Sequence, residues 1–135
     1  MYYIQVSMKN NILRFTTYLY YLALILILIL YLYPGSIMGY LFYGDLGTQP
    51  NFIKNPIGSS INHFFYFSFL SFLGFICNLN NKKFINNFFF LFTLSIFLEL
   101  THIFVPNRAF ELNDIIGNSL GVIFMYFIFK LKKIL

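Results

Sequence analysis

Apolar residues along this chain gather into four long runs separated by short polar breaks. The first run, about 16–33 (TTYLYYLALILILILYLY), carries no charge and stops at Pro34-Gly35, a pair that ends helices. The second covers about 61–79 and closes on Asn80-Asn81-Lys82-Lys83. The third covers about 84–104 and is stopped by Val105-Pro106. The fourth, about 114–131, ends among Lys130, Lys132 and Lys133. A hydrocarbon core of about 30 Å is crossed by about 20 apolar residues in a helix. Each run therefore predicts one membrane-crossing helix. Tyr18, Tyr20 and Tyr21 at one end of the first run, and Tyr31 and Tyr33 at the other, fit interfacial aromatic belts. That run has a positive flank, Lys9 and Arg14, but bulky residues from Tyr31 to Pro34 where a cleavage site needs small ones. It reads as an uncleaved anchor. Segment 34–60 is the one long loop. It is rich in Gly and Pro, so little regular structure is expected there, and its Tyr40, Phe42, Tyr43 and Phe52 suit a lipid interface.

Composition sharpens this picture. The 135 residues are 59% hydrophobic and only 10% charged, far from the quarter or so of an ordinary soluble domain. So few charges cannot solvate a globule this rich in Phe, Ile and Leu. A soluble enzyme, a disordered chain and a disulfide scaffold are excluded. The net charge of +5 does not mark a nucleic-acid partner, because the cations sit in short flanks of the apolar runs rather than in a stripe. Lys9, Arg14, Lys82, Lys83, Lys130, Lys132 and Lys133 fall on one side of a four-span arrangement; Lys54 and Arg108 fall on the other. That asymmetry places both termini in the cytoplasm. The expected fold is a single domain, 1–135: an all-α integral membrane protein of four transmembrane helices in a small bundle, N-in and C-in. The lone Cys77 lies in an apolar run and reads as a small buried residue.

Ionisable residues inside apolar spans are costly and point to function. Glu99 sits near the outer end of the third run, with His102 at i+3 and Ser95 at i−4 on the same helical face. Asp114, Gly117, Asn118 and Gly121 form a face of the fourth run, with Asp114 placed as an N-cap. The Gly117/Gly121 pair permits close approach of a neighbouring helix. His63 opens the second run, followed by Phe67, Ser71 and Gly74 at helical spacing. Arg108 lies in the short outer loop. These groups share one layer near the outer face, and the first span is expected to add nothing polar to it.

Four readings fit that layer. One is a satisfied structural network, with Glu99 paired to Arg108 or His63, Asp114 capping a helix and Asn118 bonding across helices. A second is a site for a polar or charged ligand such as a lipid head group, formed by His63, Glu99, His102, Arg108, Asp114 and Asn118. A third is acid–base catalysis by Glu99 with His63 or His102. The fourth, metal binding by His63, Glu99, His102 and Asp114, has the thinnest warrant. A Glu-x-x-His turn occurs twice in di-metal bundles, with extra Glu ligands, and here occurs once. No metal and no cofactor is therefore expected, and a homo-oligomer is left open.

The stretch Glu99 to Gly121, ELTHIFVPNRAFELNDIIGNSLG, resembles the VanZ-like membrane protein family in its spacing of Glu99, Pro106, Arg108, Asp114, Asn118 and Gly121. His63-Phe64-Phe65 is similar to that family's opening of its second span. His102 stands where the family usually has Gln, Ser59-Ser60 where an Asp-Lys pair often precedes the His, and Met125 where a further Gly is common. The resemblance implies a multi-pass protein of the bacterial cytoplasmic membrane with a role at its outer, cell-envelope face. The family takes its name from a member associated with resistance to teicoplanin-type glycopeptide antibiotics, and most members have no assigned activity. The function expected is an outward polar pocket that engages a lipid-linked or cell-wall-related ligand. The alternatives are a membrane-embedded acid–base enzyme using Glu99 and His63, or a purely structural or partner-binding role.

Overall fold

The computed structural model of the chain describes residues 2–50, 58–80 and 82–134, and within them the protein is helical. Phe52 and Lys54, placed in the outer loop from the sequence, lie outside the described residues. Helix α1 runs Tyr2–Leu32, α2 Ile37–Tyr43, α3 Gly58–Asn80, α4 Phe88–Thr101 and α5 Leu112–Ile134. A 3-10 turn, Phe84–Asn86, precedes α4. Three segments are long and apolar enough to cross a membrane: Asn10–Leu32, Ser60–Leu79 and Leu112–Leu131. They coincide with the first, second and fourth apolar runs.

The third run departs from the expected single span over 84–104. Two asparagines break it. Asn86 Oδ1 accepts from the Lys83 N–H at 3.0 Å, and Asn87 Oδ1 accepts from the Phe90 N–H at 2.9 Å, so the α-helix starts only after Asn87. Short polar side chains compete for backbone donors in this way. The resulting α4 has 14 residues and rises about 21 Å, less than the roughly 30 Å of a hydrocarbon core.

The loop of 34–60 also departs from expectation, because it contains α2. Ser36 caps that helix by accepting the Gly39 N–H at 2.9 Å. Gly39 cannot be larger: a Cβ there would lie 1.7 Å from the Thr48 carbonyl oxygen. The Ser36 N–H donates to the Leu46 carbonyl at 2.7 Å, and Asn62 Nδ2 donates to the Pro50 carbonyl at 2.7 Å. The segment is thus folded back and tied to the start of α3.

Helix α3 packs between α1 and α5, and α5 between α3 and α4. The α3–α5 seam is the most extensive. Its cause is the small-residue face of α5: a Cβ on Gly117 would meet the Ser60 carbonyl oxygen at 2.3 Å, and one on Gly121 the Phe64 carbonyl oxygen at 2.5 Å. Two backbones come this close only without side chains between them. The pairing of 60 with 117 and 64 with 121 also makes α3 and α5 parallel. The core is apolar and comes from four helices, with Tyr20, Ala23, Ile27 and Tyr31 of α1 against Phe67, Leu70, Leu91, Leu98 and Val122. The outer faces are apolar too, with Leu22, Ile25, Ile29, Phe69, Phe124 and Phe127 exposed. A helix apolar all round belongs in lipid or in a large core, and this chain has no large core.

Candidate functional site

All four long elements reach the same end of the bundle, where α1 and α4 stop and α3 and α5 start. Tyr31 is in the last turn of α1, His63 in the second turn of α3, Glu99 near the end of α4, and Asp114 in the first turn of α5. The side chains of His63, Glu99, His102, Asp114 and Asn118 are all buried. The residues singled out from the sequence are therefore brought together, and Arg108 stands beside them.

The hydrogen bonds place a proton on His63 Nδ1. Asn118 Nδ2 donates to the Ser95 carbonyl at 3.2 Å, so its Oδ1 is left to accept. The Tyr31 hydroxyl gives its single proton to that Oδ1 at 2.6 Å. His63 Nδ1, 3.0 Å from the same hydroxyl oxygen, must then be the donor. The proton of neutral His63 is thereby assigned to Nδ1 by the network. Nε2 lies 3.4 Å from Asp114 Oδ2. The other oxygen, Asp114 Oδ1, accepts from the Ser60 hydroxyl at 2.7 Å.

Glu99 is fully buried. Its Oε1 lies 3.0 Å from His102 Nδ1 and accepts the Glu111 backbone N–H at 3.3 Å. Its Oε2 has no hydrogen-bond partner and lies 3.5 Å from His63 Nδ1. One donor atom each from His63, Glu99 and Asp114 fall within 4.8 Å of one another, a grouping able to hold a cation. The Tyr31 ring stacks on His102 with centroids 5.4 Å apart, and its edge meets His63 at 5.2 Å.

Of the two partners expected for Glu99, Arg108 or His63, the structure pairs it with His63. The described ion pairs of Glu99 are with His63 and His102. The Arg108 guanidinium instead donates to the Leu30 carbonyl, one of the carbonyls left over at the end of α1. Its Nε is buried with no hydrogen-bond partner, as is His102 Nε2. Burial disfavours its charge, and nearby Tyr31 and Glu99 act against that. Both unpartnered nitrogens belong to residues lining a cavity of about 40 Å³, together with Tyr31, Asn62, His63 and Tyr66. Ser36, Ile37 and Met38 of the folded-back loop complete the wall. Below it, on the flank of α1 and α3, lies an apolar groove of about 680 Å³ lined by Ala23, Leu26, Ile27, Phe65, Tyr66 and Phe69. Tyr66 lines both.

Two participants were not foreseen. Tyr31 was expected in an aromatic belt, and the first span was expected to add nothing polar to the layer; Tyr31 is instead 4% exposed and bonds both His63 and Asn118. The signal was present in Ala23, the one small residue of that span. The face through Ala23 also carries Tyr20, Ile27 and Tyr31, and all four are buried. The second is Ser60, which the sequence does not distinguish from Ser59.

The VanZ/LLP1 family model matches residues 15–133, nearly the whole chain, and the chain belongs to that family. No curated protein and no solved structure matches it.

Proposed function

We propose that this VanZ/LLP1 protein is a four-span protein of the bacterial cytoplasmic membrane, with both termini inside. In this reading its polar end faces outward and binds the anionic head of a lipid-linked or cell-wall-related ligand in the envelope. The orientation rests on the distribution of lysines and arginines, and α4 with the preceding 3-10 turn serves as the shortest span. The observation that carries the ligand reading is the buried, unpartnered Arg108 Nε–H, on a residue that lines the small cavity together with His102, whose Nε2 also has no partner. A buried donor without a partner costs about 1–3 kcal/mol. Such a cost is kept where a ligand supplies the acceptor. A cavity of about 40 Å³ has room for about three waters, the size range of a phosphate group. The apolar groove that shares Tyr66 with the cavity gives a hydrocarbon chain a place on the lipid side. His63, Glu99, Asp114 and Asn118 form the framework behind the head group.

Mass spectrometry of lipids that co-purify with the protein tests this. Wild type is expected to retain an anionic lipid that Arg108→Ala loses. Identical lipid profiles for the two proteins would sink the pocket.

A further inference from the structure

We propose that His63, Glu99 and Asp114 form a binding site for one divalent transition-metal ion of the zinc or manganese class. This inference does not depend on the lipid reading above. Three helices supply one ligand each, and in each residue one atom is held by a neighbour while a second lies on the side of at least one of the other two residues. Glu99 Oε1 is held by His102 and the Glu111 N–H, while Oε2 is fully buried without a hydrogen-bond partner. Asp114 Oδ1 is held by Ser60, while Oδ2 faces His63. His63 Nδ1 is held by Tyr31, which leaves the lone pair of Nε2 toward Asp114. Metal-binding histidines usually donate their other ring N–H, and metal-binding carboxylates are themselves hydrogen-bonded. That supporting layer is built here for all three residues.

The His63–Asp114 spacing and the charge fit an ion, and Glu99 completes the group by a small closure. Ligand atoms around a tetrahedral ion at about 2.0–2.1 Å lie about 3.3 Å apart. His63 Nε2 and Asp114 Oδ2 are 3.4 Å apart, and one donor from each residue lies within 4.8 Å of the others. Glu99, at 0% exposure, has only histidines as described ion-pair partners, and the nearby Arg108 guanidinium is turned to the Leu30 carbonyl, so no permanent cation pairs with it directly. A divalent ion supplies one. One imidazole with two carboxylates suits Zn²⁺ or Mn²⁺ rather than Ca²⁺, which takes oxygen ligands throughout. Three protein ligands leave a coordination position for water or for an oxygen of a bound ligand.

The test is calorimetric titration of the full chain in detergent, stripped with a chelator, against ZnCl₂, MnCl₂ and CaCl₂. Wild type is expected to bind one Zn²⁺ or Mn²⁺ per chain, more tightly than Ca²⁺, with an ion-dependent rise in Tm. His63→Gln and Glu99→Gln are expected to weaken binding at least about 100-fold, the upper end of second-shell losses. Tyr31→Phe, which keeps all three ligands, is expected to weaken it about 10-fold to 100-fold. Cys77→Ser is expected to bind as wild type does. Far-UV circular dichroism shows which variants remain helical, and those decide among the residues. The proposal is overturned if wild type binds no ion stoichiometrically, if Ca²⁺ binds as well as Zn²⁺ and Mn²⁺, or if folded Glu99→Gln binds as wild type does.

Discussion

The two ends of this bundle handle buried polar groups in opposite ways. At the end where α4 begins, each polar group closes a local account. Asn87 caps its own helix, Asn86 holds the backbone of Lys83, and the Tyr20 hydroxyl donates to the Ile85 carbonyl. Thr17 bonds back to the Leu13 carbonyl of its own helix at 2.8 Å and receives the Cys77 thiol at 3.8 Å. At the other end, groups from four helices converge and leave loose atoms. Of four buried side-chain atoms without a hydrogen-bond partner among the described residues, three are there: Glu99 Oε2, His102 Nε2 and Arg108 Nε. The fourth, Ser71 Oγ, lies in the middle of α3. A network that exists only to hold helices together has no reason to keep unmet donors and acceptors, since each is destabilising. The contrast separates an end whose described polar groups are paired from one that keeps unpaired atoms, and it supports the proposed site at the second.

Three substitutions probe that separation. The largest effect is expected from Tyr31→Phe. Losing the hydroxyl orphans both His63 Nδ1–H and Asn118 Oδ1, each a buried group, so chemical denaturation should show a loss of about 3 kcal/mol. A change below about 1 kcal/mol would mean that Tyr31 is not the link between α1 and the site. Asn87→Ala at the opposite end should cost about 1 kcal/mol, the ordinary value of a lost helix cap. It should leave lipid and ion binding as in wild type, and altered binding would erase the distinction between the ends. The smallest effect on stability is expected from Glu99→Gln in ion-free protein. Gln keeps an oxygen for the Glu111 N–H and removes a buried charge whose second oxygen has no hydrogen-bond partner. The Tm should be unchanged or higher, as at sites where stability yields to function. A loss of several kcal/mol would instead make Glu99 part of a paired structural network, and the two ends would then be alike.

Much of this was legible before any coordinates. Apolar run length located α1, α3 and α5, and the positions of ionisable and amide groups within the runs picked out His63, Glu99, His102, Asp114 and Asn118. Glycine spacing marked α5 for close approach by a neighbouring helix, which the structure identifies as α3. Other features were hidden for physical reasons. Run length cannot see a cap, so the Asn86-Asn87 break that shortens α4 looked like part of a continuous span. Helix α2 is stabilised by the Ser36 cap and by the fit of Gly39 under the Thr48 carbonyl, and neither leaves a periodic trace in seven residues. Tyrosine at a helix end suits a lipid interface and a buried hydrogen bond equally well, so the role of Tyr31 needed its partners. Of the two partners expected for Glu99, His63 lies beside it, whereas the Arg108 guanidinium is taken by the unused carbonyl of Leu30.

The glycine seam has an electrostatic consequence. Parallel packing puts the starts of α3 and α5 side by side, and each helix start carries about half a positive charge from its aligned peptide dipoles. Two such poles held this close repel, and the repulsion is relieved by negative charge between them. Asp114, in the first turn of α5 and bonded to Ser60 in the first turn of α3, occupies that position. The field that favours the Asp114 carboxylate therefore comes from the same contact that removes two side chains from α5.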